Sequence, residues 1–463
     1  MSIRASKLGV SIDPLRRDFR GDLIVAGDAD YDRARVVWNA MADRYPAIVA
    51  RCAGTADVVA ALRFARENDL VIAVRGGGHS VAGFSTCDGG AVIDLSRMRG
   101  VKIDPGNRTA RVEGGALLDQ LDRAAQDHGL ACPVGVVGHT GVAGLTLGGG
   151  MGRLMRWHGY TIDNLLAVDL VTADGVVNHV TADSDPELFW GLRGAGANFG
   201  IATAFEFRLH PVGPRVTSGA LIFPIERARE VAALYRDVSG AFADHVHLGL
   251  NFANAPTGRA ATPQLEDKAT VAIGCTHFGE PSEVERDLAR LRKDIEPLLD
   301  TFAATTYLTV QTQSDEEMAW GKRFYMKGAL LEDVSDAAVD VAVEHALRSP
   351  GEASIGLWAL GGATKRVAED ATAFAGRKAA HWTGAEAFWT DRARDADHIA
   401  WGRNAMSAMK PFTTAGIYVN DVVEQGDDVV RSIYGDNKYG RLRALKRAHD
   451  PDNVFRLNQN IRP

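Results

Sequence analysis

The chain has 463 residues, of which 46% are hydrophobic and 24% charged, and its formal net charge at pH 7 is −7. This composition is typical of a globular protein of about two or three domains. The acidic balance disfavours nucleic acid or an acidic membrane surface as a partner, and no run of about 18 apolar residues predicts a membrane span.

Four widely spaced cysteines and an N-terminus without an apolar signal region favour free thiols in a reducing compartment. A cytoplasmic enzyme is therefore expected.

The first part of the chain alternates short helices and strands. The pattern predicts a helix that Thr55 caps, a strand over 70–74, and a second helix over 116–129. Residues 165–180 read as a hairpin because an Asp-Gly turn separates two apolar runs. Asp185 precedes a proline and is expected to cap a further helix.

The middle of the chain has a different pattern, in which amphipathic helices alternate with strands. Ser282 and Glu285 are spaced as a capping box, and Ser335 is expected to open another helix. The segment "TTYLTVQT", residues 305–312, predicts a strand between them. A helix-covered sheet of α+β type is therefore predicted over residues 213–412.

Three glycine-rich segments lie in the first half of the chain: "RGGGHS", "GHTGVAGLTLGGGMG" and "GLRGAGANFG". Main-chain N–H groups can cradle a phosphate where glycine leaves the approach open. Neither GxGxxG nor GxxxxGK[ST] occurs in them, which disfavours a Rossmann NAD site and a P-loop. Three such loops interleaved with strands suit a long, extended cofactor, and FAD is the natural candidate.

Four segments in order carry a specific resemblance: "RGGGHSVAG", "GVAGLTLGGGMGRLMRWHGYTIDN", "LFWGLRGAGANFGIATAFEF" and "RLRALKRAHDPDNVFRLNQNI". They resemble the PCMH-type FAD-binding domain of the vanillyl-alcohol-oxidase superfamily, and most closely the berberine-bridge-enzyme-like oxidases. The resemblance implies an α+β flavoprotein of two domains. A discontinuous FAD-binding domain would comprise 1–212 plus 413–463, and an antiparallel-sheet substrate domain covered by helices would comprise 213–412.

The resemblance also implies how the cofactor is held. In this family the histidine of the R-G-G-G-H loop, here His79, is joined to the 8α carbon of the flavin. The alternative is a histidine that only bonds a phosphate. Further implied FAD-binding residues are Arg75, Gly76, Gly77, Gly78, Ser80, Gly83, Gly138, His139, Thr140, Gly141, Gly144, Gly149, Gly150, Gly152, Asn198, Gly200, Ile201 and Asn458.

A second covalent link is open at Cys132. Many relatives carry a cysteine bonded to carbon 6 of the flavin in a run C-P-x-V-G-V-G-G-H. The run here, "CPVGVVGH" from Cys132 to His139, is similar but one residue shorter, and other bacterial relatives lack the cysteine. A thioether and a buried, inert thiol both remain possible.

The strongest departure from the family lies near the C-terminus. Family members often end a strand with Y-x-N-Y over the flavin, and the last tyrosine acts as the base. This chain reads "YVND", so Tyr418 and Asn420 match and Asp421 replaces the base. A carboxylate is a poor base for an alcohol unless burial raises its pKa, but it suits a cationic amine. Either Asp421 faces the substrate, or it points to solvent and Tyr418 or a middle-domain residue acts as the base.

One middle-domain strand, "WGKRFYMKGALL", resembles a region that lines the substrate side in relatives, which makes Tyr325 an active-site candidate. Core packing is expected for Trp320 and Phe324. His245 and His247 alternate along another strand, and without a third ligand in view no metal site is expected.

The resulting hypothesis is an FAD-dependent oxidase that removes a hydride and a proton from a small organic substrate, with dioxygen reoxidising the flavin. The substrate would be an amine, a phenolic or heterocyclic natural-product-like compound, or an alcohol. The alternatives are a dehydrogenase that uses another electron acceptor, and an oxidase of a sugar or oligosaccharide.

Overall fold

The structure is a computed structural model that describes residues 11–17, 19–254, 262–266, 268–293 and 295–463. The first ten residues of the N-terminal segment considered above lie outside the described residues. The helices are α1 Asp13–Arg16, α2 Tyr31–Arg35, α3 Thr55–Glu67, α4 Leu118–Gln126, α5 Val142–Leu147, α6 Met155–His158, α7 Pro186–Ala195, α8 Ala228–Ala241, α9 Pro281–Leu291, α10 Tyr307–Gln311, α11 Asp336–Leu347, α12 Ala363–Arg366, α13 Asp395–Met409 and α14 Asp427–His449.

The strands fall into two groups along the chain. The first group is β1 Asp22–Val25, β2 Ile48–Arg51, β3 Ile72–Arg75, β4 Ala91–Asp94, β5 Val101–Asp104, β6 Thr109–Glu113, β7 Leu130–Ala131, β8 Leu165–Val171, β9 Val177–Thr181, β10 Ile201–Arg208 and β11 His210–Pro211. The second group is β12 Arg215–Pro224, β13 Val246–Ala253, β14 Thr270–His277, β15 Leu299–Asp300, β16 Ala303–Thr306, β17 Arg323–Leu331, β18 Ala353–Ala359 and β19 His381–Trp389.

Two sheets form the part of the chain that carries the glycine loops. A four-stranded sheet has the order β1-β2-β4-β3, in which β2, β4 and β3 are parallel. An antiparallel five-stranded sheet has the order β5-β6-β10-β8-β9. The predicted hairpin is confirmed as β8 and β9, and Gly175 has the positive φ, +83°, that its turn requires.

A large antiparallel sheet follows, in the order β15-β12-β14-β13-β18-β19-β17, with β16 also pairing with β12. One face packs under helices α8, α11 and α13 in a single apolar core. Side chains alternate between the faces of a strand, so every second residue faces away from these helices. The predicted helix-covered sheet is thus confirmed. The boundaries at 212 and 413 remain a prediction, and β11 and β12 on either side of the first join different sheets.

Local predictions in the middle region are partly wrong. The capping box does not use Ser282 and Glu285, because α9 begins two residues earlier, with Glu280 as its cap and Glu283 as the box partner. The strand predicted over 305–312 ends at Thr306, whose hydroxyl accepts a hydrogen bond from the main chain of Thr309 and starts helix α10. The caps predicted at Asp185 and Ser335 are confirmed.

The C-terminal tail packs against the glycine-rich part of the chain. Lys446 on α14 is fully buried and donates to the Asp450 carboxylate at 2.7 Å. It also donates to the carbonyl oxygens of Asn198 at 2.8 Å and Phe455 at 2.9 Å. A buried ammonium group needs this full set of acceptors, so the tail is held in one position. That position brings Asn458 to the glycine loops.

Candidate active site

A cavity of about 750 Å³ lies between the glycine loops and the face of the large sheet that points away from the helices. Its volume is within the range of cofactor and ligand sites. One end is lined by main chain and small residues of the glycine loops, and the other by aromatic and acidic side chains of β17, β18 and β19.

The surroundings and backbone of the first glycine loop account for its glycines. A Cβ atom at Gly77 would collide with the main chain of Gly141 in the second loop, and Gly78 has a φ of +71°. In the described part of the chain, no main-chain N–H from residue 76 to 82 donates to a protein acceptor. A row of free donors without side chains in front of it is the arrangement that binds a pyrophosphate.

Fourteen predicted site residues line this cavity, and they come from five separate segments: Gly76, Gly77, Gly78, His79, Ser80, Thr140, Gly141, Gly144, Asn198, Gly200, Tyr418, Asn420, Asp421 and Asn458. The side-chain amide of Asn458 donates to the carbonyl oxygens of Ala197 and Phe455, at 2.8 and 3.1 Å. Its Oδ1 atom and Oε1 of the neighbouring Gln459 are both buried, and neither has a hydrogen-bond partner among the described residues. The free N–H donors of the first glycine loop and the free side-chain oxygens of Asn458 and Gln459 fit a long polar cofactor such as FAD.

His79 is held from two sides. Its ring stacks on Trp38 with 4.2 Å between ring centroids, and its Nε2 atom is hydrogen-bonded to Nδ1 of His139 at 2.8 Å. Burial, and secondarily the neighbouring His139, lower the pKa of His79 to about 3. The imidazole is therefore neutral at physiological pH and retains a nucleophilic nitrogen.

Several predicted FAD-binding residues do not line the cavity. Arg75 is buried in an ion pair with Asp94 at 2.8 Å. His139 and Gly138 lie behind the cavity wall, and Ile201 belongs to the core. At four further glycines an added Cβ would meet a neighbouring group within the protein, so close packing requires glycine there: Gly83, Gly149, Gly150 and Gly152.

Cys132 is also away from the cavity. It is fully buried in the core beside α4, and burial raises the pKa of its thiol well above the usual range. The residues of this segment that line the cavity are Gly135, Val136 and Val137. The structure therefore places the Cys132 thiol in the core and not at the cavity wall.

The acidic end of the cavity is organised around Asp421. This side chain is 6% exposed, so it does not point to solvent. It follows Tyr418 in a single 3₁₀ turn, not a strand, and its Oδ2 atom accepts a hydrogen bond from Nε1 of Trp382 at 2.7 Å. Burial raises the pKa of Asp421 to about 8. Repulsion from Glu386 also raises this pKa, whereas the hydrogen bond from the Trp382 indole lowers it.

Tyr418 and Asn420 form a hydrogen-bonded pair beside Asp421. The hydroxyl oxygen of Tyr418 accepts from the Asn420 side-chain amide at 2.8 Å and from the main chain of Met151 at 3.3 Å. Burial nevertheless raises the pKa of Tyr418, which favours the neutral phenol. Asn420 also donates to the carbonyl oxygen of Leu145, within the second glycine loop.

Tyr325, the active-site candidate of the middle region, does not line the cavity. It lies on the helix-facing side of β17, and its hydroxyl donates to Glu424 at 3.0 Å. Its neighbours Phe324 and Met326 face the cavity instead, because side chains alternate. Phe324 is buried as predicted, but Trp320 is 45% exposed and is not part of the core.

Glu386 is the main cavity residue that sequence reasoning missed. It lies on β19, where Trp382 and Phe388 share its face, and burial raises its pKa to about 7, with repulsion from Glu317 adding to the effect. Its signal was an acid in an otherwise apolar strand, "HWTGAEAFW". His247 and Trp358 complete this wall, and the buried Nδ1 atom of His247 has no hydrogen-bond partner in the part of the chain that the structure describes.

Comparisons with known proteins agree with this arrangement. The model of an FAD binding domain matches residues 46–181, and the model named berberine and berberine like matches residues 417–462. The (R)-6-hydroxynicotine oxidase of Paenarthrobacter nicotinovorans is 32% identical over 461 residues, which cover 96% of this chain and 97% of the relative. The chain belongs to the berberine-bridge-enzyme-like family of FAD-linked oxidoreductases. An uncharacterized FAD-linked oxidoreductase of Bacillus subtilis (strain 168) is 31% identical, with 96% and 97% coverage.

Solved structures of the family have the same fold. The 6-hydroxy-D-nicotine oxidase from Arthrobacter nicotinovorans has a TM-score of 0.86 at 29% identity, over 98% of this chain and 100% of that chain. Berberine bridge enzyme from Eschscholzia californica has a TM-score of 0.84 at 22% identity, over 96% and 97%, and supports the fold alone. The two-domain flavoprotein fold, FAD as cofactor and oxidoreductase activity are thereby confirmed. No described helix is long and apolar enough to cross a membrane.

Proposed function

We propose that this FAD-linked oxidoreductase is an oxidase of a small amine that carries an aromatic ring. Its flavin would be attached covalently through His79 and reoxidised by dioxygen. The observation that carries the substrate class is the carboxyl group of Asp421, which is buried in the cavity beside a second acid, Glu386. Ionising either buried group without a counter-charge is unfavourable, so a cation between them would be bound strongly.

The walls around these acids suit the same substrate. Trp358, Trp382 and Phe388 surround the acids, and their ring faces attract a cation while their area packs against an aromatic ring. The relative named for 6-hydroxynicotine oxidation supports the class, because that compound combines an amine with a heteroaromatic ring.

Each polar side chain has a role in this proposal. The flavin supplies the hydride acceptor, and the chain orients the substrate and takes up a proton. Oδ2 of Asp421 is fixed by Trp382, which leaves Oδ1 to pair with the substrate nitrogen or to accept its proton. Asn420 fixes the phenol of Tyr418 beside Asp421, and in this proposal the phenol keeps the reacting carbon of the substrate in place.

The proposed attachment has one link and not two. His79 lines the cavity with a neutral ring, whereas Cys132 is in the core. Acid-denatured protein should therefore keep one FAD per chain, and peptide mapping should locate its mass on the peptide that contains His79. Flavin that is released entirely by acid would contradict the attachment.

The activity is tested by anaerobic reduction of the flavin with a panel of compounds, followed by exposure to air. The panel contains both enantiomers of 6-hydroxynicotine, simpler arylalkyl amines, a benzylic alcohol and a neutral oligosaccharide. Bleaching of the flavin by the amines and recovery of its colour in air, with hydrogen peroxide, are expected. Bleaching by the neutral sugar alone would contradict the substrate class, and slow recovery in air would indicate a dehydrogenase.

A further inference from the structure

His139 contacts His79 from outside the cavity, and its own hydrogen bonds are informative. Its Nδ1 atom is 2.8 Å from Nε2 of His79, and its Nε2 atom is 3.3 Å from the main-chain carbonyl oxygen of Asp315. The side chain of Asp315 fixes the same loop, since its Oδ1 accepts from the main chain of Gly138 at 2.6 Å.

These contacts determine where the protons lie. A carbonyl oxygen can only accept a hydrogen bond, so Nε2 of His139 carries its proton and Nδ1 of His139 is an acceptor. Nε2 of His79 must then be the donor, and the lone pair of His79 is on Nδ1. No group of the described residues is hydrogen-bonded to that Nδ1 atom, which leaves it available to a partner in the cavity.

The same segment of the chain holds both neighbours of His79. Asp315 binds His139, and the carbonyl oxygen of Met318 accepts from Nε1 of Trp38 at 2.6 Å. Because Trp38 stacks on His79, residues 315–318 fix the ring plane on one side and the proton acceptor on the other. A histidine that only occupied a bend in the chain would need neither the stacking ring nor the proton acceptor.

We propose that His139 is a positioning residue that prepares His79 for covalent attachment of FAD and accepts its proton. The inference rests on the proposed attachment at His79. A bond forms between Nδ1 of His79 and the 8α carbon of the flavin, and a C–H bond of that methyl group breaks. The Nε2 proton of His79 passes to Nδ1 of His139. The electron pair of the broken C–H bond would stay on the flavin as a two-electron reduction, and its proton would be released to solvent. Dioxygen would then take up this electron pair and two protons, one from His139 and one from solvent, to form hydrogen peroxide.

The test compares the covalent FAD of His139→Ala and His139→Gln with that of the unaltered chain. His128→Ala, at an exposed histidine of the same part of the chain, is the matched control. Each protein is incubated with excess FAD in air, and the acid-stable flavin per chain is followed with time. Since general-base assistance contributes about 10²- to 10⁴-fold, attachment in both His139 variants should be at least about tenfold slower. Flavin bound before acid treatment and the melting temperature report folding.

Rescue separates proton transfer from a merely structural role. Free imidazole should fill the space left in His139→Ala and raise its attachment rate several-fold, while leaving His128→Ala unchanged. Folded His139 variants that attach FAD as fast as the unaltered chain would overturn the inference, and so would a slow His139→Ala that imidazole does not accelerate. If the unaltered chain itself holds no acid-stable flavin, the proposed attachment fails first, and the inference with it.

Discussion

Replacing Asp421 with asparagine tests the proposed substrate class most directly. The asparagine keeps the size of the side chain and an oxygen that can accept from Trp382, but it removes the titrating charge. With a pKa of about 8 in place of 3.8, the carboxylate is disfavoured by roughly 5 to 6 kcal/mol, at about 1.4 kcal/mol per pKa unit. An ammonium group that binds there removes part of this penalty, so loss of the charge should cost about 2 to 4 kcal/mol of transition-state stabilisation.

The assay is the pH dependence of kcat/KM for the best amine of the panel. The unaltered enzyme should gain activity as the pH rises through about 8, because Asp421 must lose its proton to bind the cation. Asp421→Asn should lose this inflection, and its kcat/KM should fall by roughly 30- to 700-fold. Glu424→Gln is the matched control, since this acid is three residues away but bonded to Tyr325 and Lys327 outside the cavity. An Asp421→Asn enzyme with an unchanged profile would refute the reasoning.

Protein stability gives a second readout that needs no substrate. The folded protein keeps the Asp421 proton up to about pH 8, while the unfolded chain loses it near pH 4. The unfolded state therefore binds fewer protons between these values, and the contribution of Asp421 to stability becomes less favourable as the pH rises. In the flavin-free protein, Asp421→Asn should raise the melting temperature relative to the unaltered chain more at pH 8 than at pH 5. An equal difference at both values would contradict the raised pKa.

Three further substitutions test the cofactor end and the tail. Gly77→Ala should lower the flavin bound per chain, because the added methyl group forces the two glycine loops apart, while Gly54→Ala, where the space is open, should not. Lys446→Met should destabilise the protein by about 3 to 5 kcal/mol, measured by denaturant unfolding, since it leaves the buried Asp450 carboxylate unpaired. Cys132→Ala should leave the acid-stable flavin unchanged, because its thiol is in the core.

Much of the fold could be predicted because its signals are local. The hairpin turn at Gly175 and the caps at Asp185 and Ser335 each depend on a few neighbouring residues. The failures have local causes as well. β-branched residues favoured a strand over 305–312, but the Thr306 side chain satisfied a main-chain donor and began a helix instead.

Many of the residues predicted for the cofactor end line the cavity, but the sequence could not separate two roles of glycine. Glycines that approach a ligand and glycines that approach other protein atoms have the same signature in a sequence. Gly77 lines the cavity, whereas Gly150 is adjacent to Thr161 and Gly152 to the Val134 carbonyl group. Only the packing of the loops against each other distinguishes the two roles.

The substrate end could not be predicted because it is assembled from separate strands. Asp421 replaces the family tyrosine, and its carboxyl group is directly above β17, where a Cβ at Gly328 would be 2.5 Å from Oδ2. Gly384 is paired with Gly328 on the next strand, and Trp382 on that strand supplies the N–H that orients the acid. A side chain at residue 328 would move the carboxyl group off the indole. The aspartate, the glycine at 328 and the tryptophan therefore depend on one another, and the proposed preference for an amine rests on this combination and not on Asp421 alone.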